Sequence, residues 1–480
     1  MKLRHIVFGI GLSFTLGLSS CEKVIEVEPE YFKDGSQIFK SLDDYEFVLT
    51  GAYSQFRAVG YYGSGAQTTS TWAMLPDLMG NDFAQTAEDL GNWQNQTNWN
   101  YTSDEADIAQ AWVTAYNVIT QANLVLRNIE QFSTANPTRV NRIKGQALAI
   151  RGMVHFDLLR FWGESYDRNS TKLGVPYKLT VNKDDMPSRL TVKETYDKIF
   201  ADLKEAETLL GNVDRAINTS SSKAMIDRLA TRALLARLNL YAKDFAEAER
   251  YATLVISERP LASKANFPNI WKDASVDEVI WSVTFSAGEG SPSSGTYNGP
   301  SNRNRFRPTN PIMESFDQAN DIRFPAYFST RVRSGVTRPI INKFLGRGTA
   351  VDNLVNWKVL RTGEMYLIRA EARALQGKTV EALDDLNTLR AARINGYLPV
   401  VLAGQPLLDA IYLERRKELF GEGHRWFDAR RTTSTITRTD CGTIARDCSI
   451  VPTDREWVWP IPQAEIDANS NIKNQQSAGY

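Results

Sequence analysis

The chain has 480 residues in which 56 Lys and Arg face 56 Asp and Glu, so the excess basic charge that drives non-specific nucleic-acid binding is absent. Hydrophobic residues make up 42% and charged residues 23%, the mixture of a chain with a sizeable core and unlike that of a disordered one. With three His and three Cys, a metal site has few candidate ligands, and neither a metal nor a cofactor is expected.

The first element is an address. Lys2 and Arg4 precede the apolar run Ile6 to Leu18, and Ser19-Ser20-Cys21 follows. As a helix that run rises about 20 Å, short of a hydrocarbon core of about 30 Å. Residues 1–20 are therefore read as a secretory signal and not as a span. Leu18-Ser19-Ser20-Cys21 resembles the bacterial lipobox, which makes Cys21 the acylated first residue of the mature chain. Loss of Lys2 and Arg4 leaves that chain with two more acidic than basic residues. Residues 21–40 are acidic with no apolar helical face and read as a tether, and a single folded domain is expected over 41–480.

Apolar periodicity bounded by turn chemistry predicts helices over 106–131, 138–162, 191–210, 222–242, 245–257, 361–376, 379–392 and 407–420, or four pairs. Self-comparison adds a repeat. The segment 236-ARLNLYAKDFAEAERYATLVI-256 lies over 370-AEARALQGKTVEALDDLNTLR-390 without a gap, setting Ala236 on Ala370 and Glu247-Ala248 on Glu381-Ala382. The break Lys243-Asp244 falls on Gly377-Lys378, and Pro260 stands where the first copy should end. Small residues on packed faces astride a turn mark tetratricopeptide-like pairs, expected at about 106–257 and 361–420.

Two stretches depart from this pattern. Residues 60–104 are rich in Gly, Asn, Gln, Thr and aromatics, and residues 265–360 become rich in Ser, Gly, Pro, Asn and Arg from about 285 onward. Gly and Pro recur too often for long helices, and irregular segments on a helical scaffold are where binding commonly resides. One strand is expected at 278–285, where β-branched and aromatic residues alternate, with Trp281 and Trp271 as core positions. Aromatic rings stack on the apolar faces of sugars while Asn, Asp and Arg satisfy hydroxyls. A glycan site is accordingly expected on the loops 60–104 and 285–310. Its candidate residues are Trp93, Trp99, Tyr101 and Tyr297, with Asp77, Asn81, Asp82, Asn302 and Arg305.

Catalytic signatures are sparse. The chain contains no Walker loop, GxSxG elbow, HExxH helix or Rossmann glycine fingerprint. Within 414-ERRKELFGEGHRWFDARR-431, Glu422, His424 and Asp428 could form a base with its orienting acid, but alternating Glu and Arg at helical spacing reads better as an ion-pair lattice. His155, alone on an apolar helix face, reads as a satisfied core residue. Cys441 and Cys448 lie in a polar stretch behind a secretory signal, so a disulfide closing a small loop is expected. The C-terminal segment 421–480 completes the domain.

Four segments carry a family resemblance. They are 154-VHFDLLRFWG-163 with Gly174-Val175-Pro176-Tyr177 and 187-PSRLTVKETYDKIFADLKEAETLL-210; 364-EMYLIRAEARALQGKTVEALDDLNTLRAAR-393; 411-IYLERRKELFGEGHRWFDARR-431; and Trp459-Pro460-Ile461-Pro462 with 469-NSNIKNQ-475. Together they resemble the RagB/SusD family of outer-membrane nutrient-binding lipoproteins. The resemblance implies a mainly α fold of four tetratricopeptide-like helix pairs on a loop-rich subdomain with few short strands. It also implies a non-catalytic role: capture of an oligosaccharide or polysaccharide at the cell surface and delivery to a SusC-like TonB-dependent transporter, with no nucleic-acid partner. The alternatives are a peptide-binding member of the family and a surface glycoside hydrolase, whose two carboxylates sequence spacing cannot locate.

Overall fold

A computed structural model of the chain describes residues 39–64, 70–89, 91, 93–182, 184–211, 223–439, 441 and 448–480. The signal, the acylation site expected at Cys21 and nearly all of the tether lie outside those residues. The chain divides into two compact units, Met1–Asp44 and Tyr45–Tyr480. In the first, the Asp44 carboxylate accepts the backbone amides of Lys40 and Ser41.

The long helices are α1 (Leu42–Gln55), α2 (Ala106–Leu126), α3 (Pro137–Trp162), α4 (Val192–Leu210), α5 (Arg228–Tyr241), α6 (Phe245–Glu258), α7 (Thr362–Leu375), α8 (Thr379–Ala391), α9 (Gly404–Glu418) and α10 (Arg425–Arg431). Helices α2 to α9 are the eight that periodicity predicts, with ends set by local chemistry. Helix α2 stops at Leu126 because Asn128 turns to φ 63° and a 3-10 turn follows over Ile129–Phe132. Helix α5 starts at Arg228, where Asp227 caps it by accepting the amide of Ala230 at 2.8 Å. Helix α4 opens on a capping box, with Thr191 and Glu194 each bonding the other's backbone.

From α2 to α9 each helix packs on the next in sequence, α6 on α7 included, although residues 259–361 intervene. The repeat is visible in the backbone. Lys243 at φ 60° and Gly377 at φ 76° occupy the same repeat position, and Ala236, Ala370, Ala248 and Ala382 are all buried where neighbouring helices meet. Glu249 on α6 ties the two copies together through Arg373 at 3.0 Å and Lys378 at 2.6 Å. The fold is thus mainly helical with tetratricopeptide-like pairs.

The described strands form six antiparallel pairs of two. Val279–Val283 pairs with Trp357–Arg361, so the long insertion leaves the helical stack and returns through one ladder. Trp281 and Trp271 are both buried, the former donating its Nε1–H to the carbonyl of Ala224. A hairpin that periodicity does not foresee, Phe328–Arg333 with Val336–Ile341, projects from the same insertion. Cys441 and Cys448 form a disulfide with Cα atoms 5.4 Å apart.

Candidate functional site

The two loop stretches that break the helical pattern meet. Phe83–Gln85 pairs antiparallel with Phe306–Pro308. The amide of Ser64 reaches the carbonyl of Gly290 at 2.8 Å, and that of Thr309 reaches Asp82 at 2.9 Å. Gly290 is required there, because a Cβ would come within 1.7 Å of the Ser64 carbonyl oxygen. Segments more than 200 residues apart in sequence thus build one loop layer.

Within that layer the nine candidate residues separate into groups. Asp77 is buried and accepts the amides of Gly423 and Arg425, and burial pushes its carboxyl up to about 8. Asn81 accepts from Arg425 Nε and donates to the carbonyl of Thr437, both at 2.9 Å. Asp82 accepts from Arg416 Nε at 2.6 Å. These three fasten the loop to α9, to the turn before α10, to α10 itself and to Thr437 beyond it. Asp77 and Asp82 line, in part, a cavity of about 60 Å³, well below the roughly 300 Å³ at which small-molecule sites begin.

The aromatic candidates face inward. Trp93, Trp99, Tyr101 and Tyr297 are each under 9% exposed. Trp99 donates Nε1–H to the carbonyl of Met79 at 3.0 Å while the Arg438 guanidinium covers its ring at 3.9 Å. Tyr101 lies between Trp459 and Tyr480 and donates its hydroxyl to the carbonyl of Glu456. A stacking platform needs an open ring face, and these rings are spent on the chain's own groups. The pattern is general, because all eleven Trp are buried, none more than 5% exposed.

The remaining candidates do converge. Tyr297 donates its hydroxyl to Asn302 Oδ1 at 3.2 Å, and Arg331 of the hairpin reaches the same oxygen at 3.1 Å. Asn304 Nδ2 donates to the carbonyl of Pro339 at 3.0 Å, tying the strand that precedes Arg305 to the hairpin. At the junction stands Glu88, which accepts the amide of Asn304 at 3.0 Å and the guanidiniums of Arg331, Arg333 and Arg338. Burial raises its pKa, but that amide and the arginines outweigh burial and hold the carboxyl below its usual value. Sequence reasoning missed Glu88 and the hairpin arginines. The usable signal was the concentration of Arg303, Arg305 and Arg307 within five residues of one loop segment.

The 414–431 segment is a different kind of site. Glu418 meets Arg323 at 2.9 Å, Arg393 at 3.0 Å and Arg361 at 2.5 Å, all with side chains at most 1% exposed. Glu278 joins Arg361 and Arg393; Glu422 joins Arg361 and Lys343; Asp321 and Glu414 join Arg323. Asp428 is held between Arg415 and Arg431. His424 is buried, and burial together with Arg237, Arg415, Arg160 and Arg361 holds its pKa well below the usual value, so it stays neutral. Glu422 and Asp428 are both committed to guanidiniums, so neither of these two is left to orient His424 as a base.

Such a molecule, a helical-repeat scaffold with a loop layer threaded out of the stack and locked to it by buried ion pairs, defines a class of proteins that present a rigid face. A family model described as starch-binding, associating with outer membrane, matches residues 58–240, and the SusD family model matches residues 336–480. A SusD superfamily protein of Bacteroides thetaiotaomicron shares the fold at a TM-score of 0.80 and 27% identity, over 91% of this chain and 99% of that one. A Bacteroides vulgatus structure whose description proposes sugar binding gives a TM-score of 0.77 at 27% identity, over 92% and 99%. A SusD-like protein of Formosa agariphila is 24% identical over 505 aligned positions, 91% of this chain and 93% of that protein. The chain belongs to the SusD/RagB family.

Proposed function

We propose that this chain is a cell-surface lipoprotein, anchored to the outer membrane through lipid on Cys21, that binds an oligosaccharide or polysaccharide and passes it to a SusC-like TonB-dependent transporter without chemical change. The observation that carries the reading is the junction of 60–104 with 285–310. These segments stand outside the repeat and meet in one polar layer, within a family that includes a relative described as sugar-binding. The ligand lies on that layer, around Asn302, Arg305 and the hairpin, with the buried Tyr297 holding Asn302 through its hydroxyl.

No transmembrane helix is needed for such a role, and among the described residues no helix is long and apolar enough to cross a membrane. One acyl chain binds membranes only marginally, so stable anchoring requires more than one. The test is calorimetry of the unlipidated mature chain against a panel of neutral and acidic polysaccharides, together with reducing-end assays on each. Saturable binding without release of reducing ends is the expected result. Sustained hydrolysis, or binding to oligopeptides and to no glycan, overturns the reading.

A further inference from the structure

Arg303, Arg307, Arg331, Arg333 and Arg338 sit on strands of the loop layer, Arg305 sits in the bend between two of them, and Glu88 and Asp89 are carboxylates that interact with members of the group. The chain as a whole carries no net charge, so this is a local concentration of positive charge. In the hairpin Arg331 stands directly opposite Arg338. Like charges in that relation oppose strand pairing. Among the described residues it is Glu88 that bridges them, and it serves Arg333 as well. One carboxylate among three guanidiniums leaves positive charge over. Two of the three remain open to water, Arg333 at 46% and Arg338 at 45% side-chain exposure. At the same tip Val332 and Val336 are 64% and 47% exposed, giving apolar surface beside the charge.

From this geometry, and resting on the glycan-binding reading above, we propose that the face selects a polysaccharide bearing anionic groups, carboxylates or sulfates, which the exposed guanidiniums grip while the sugar C–H faces lie on the valines. A planar guanidinium matches the paired oxygens of a carboxylate or sulfate ester, giving direction as well as charge. The burial of every Trp points the same way. With no open indole to stack on a neutral ring, charge and hydrogen bonding are the means this surface offers.

The experiment titrates the unlipidated mature chain with polygalacturonate, dextran sulfate and neutral dextran, and repeats the titrations with the Arg333→Ala/Arg338→Ala and Arg303→Ala variants. Arg250→Ala on α6 serves as the control, since its partner Glu247 lies on the same exposed helix face. Circular dichroism melts confirm that each variant is folded. Expected are binding of one or both polyanions, with carboxylate and sulfate separated by comparing the two; weakening between roughly 0.05 M and 0.3 M salt; at least a tenfold loss in the double variant; and no change in the control. Wild-type affinity in both face variants overturns the assignment. So does equal competition by polyadenylate, which would mean attraction to any polyanion. Binding of neutral dextran and of neither polyanion overturns the anionic preference while leaving the glycan-binding reading intact, whereas binding of no glycan from the wider panel removes that reading itself.

Discussion

Two regions of this molecule are built around arginine and carboxylate, and they treat the pair in opposite ways. In the lattice under α9 every carboxylate has its guanidinium or ammonium, the side chains are almost entirely dry, and Glu418 alone holds three arginines. On the loop layer Glu88 also holds three arginines, but two of those are nearly half exposed and the count of charges does not balance. The difference separates structure from recognition. A closed, balanced set of charges fixes elements to one another, whereas an open, unbalanced set still has a bond to offer.

The comparison breaks most visibly if the lattice is cheap to open. Glu418→Ala removes the carboxylate common to Arg323, Arg361 and Arg393 and leaves buried positive charge. A loss of about 3–5 kcal/mol in unfolding free energy is expected, read from urea melts as a lowered midpoint. A change under about 1 kcal/mol, the value for exposed pairs, would erase the distinction drawn here.

Trp99 offers a second break. Its indole is 5% exposed, hydrogen-bonded to Met79 and covered by Arg438. Trp99→Ala is expected to cost about 3–5 kcal/mol as a core truncation. Retained stability with weakened glycan affinity would instead restore Trp99 as a surface that ligand reaches.

Helical architecture was legible in the sequence because it rests on local rules. The periodicity of α2 to α9 and the aligned break at Lys243 and Gly377 belong to the chain whatever surrounds them. Helix α10 was not, since its seven residues are held by Asp77 through the amide of Arg425 and by partners of Arg431 far away in sequence. The loop aromatics show the same boundary from the other side. Composition marks Trp93 and Trp99 as binding material, but whether an indole faces water depends on what the C-terminal segment lays over it. Composition also marks Asn302 and Arg305, whereas the hairpin arginines near Asn302 depend on a register that only pairing fixes.

His155 sharpens the contrast through pH. Its Nδ1–H donates to the carbonyl of Arg151 at 2.8 Å, its Nε2 accepts the amide of Lys178 at 3.2 Å, and its ring stacks on Tyr177 at 3.7 Å. Burial holds its pKa down to about 3 in the fold, against about 6.5 in an unfolded chain. The unfolded chain therefore binds the extra proton, so the contribution of His155 is complete above pH 6.5 and is lost as pH falls toward 3. His155→Gln cannot take up that proton. Its stability deficit relative to wild type should shrink by about 1.4 kcal/mol for each pH unit below 6.5, measured by urea melts at several pH values. A deficit constant with pH would mean that the imidazole is hydrated and titrates normally.

The smallest effect is expected on the loop face itself. Arg338 gives up a 3.2 Å ion pair with Glu88 when replaced by Ala, but its side chain is 45% exposed, and the substitution also removes the like charge opposite Arg331. These contributions oppose one another. Arg333, at 2.8 Å from Glu88, is as exposed and stands opposite Val336. Each Arg→Ala variant should therefore alter unfolding free energy by no more than about 0.5 kcal/mol, leaving Glu88 with Arg331 and the amide of Asn304. A destabilisation above about 2 kcal/mol, the range of a buried hydrogen-bonded charge, would place the hairpin arginines with the lattice as structural groups. Near-zero change is what a surface reserved for a partner should show, because those guanidiniums, though paired with Glu88, keep nearly half of their surface open to water in the free protein.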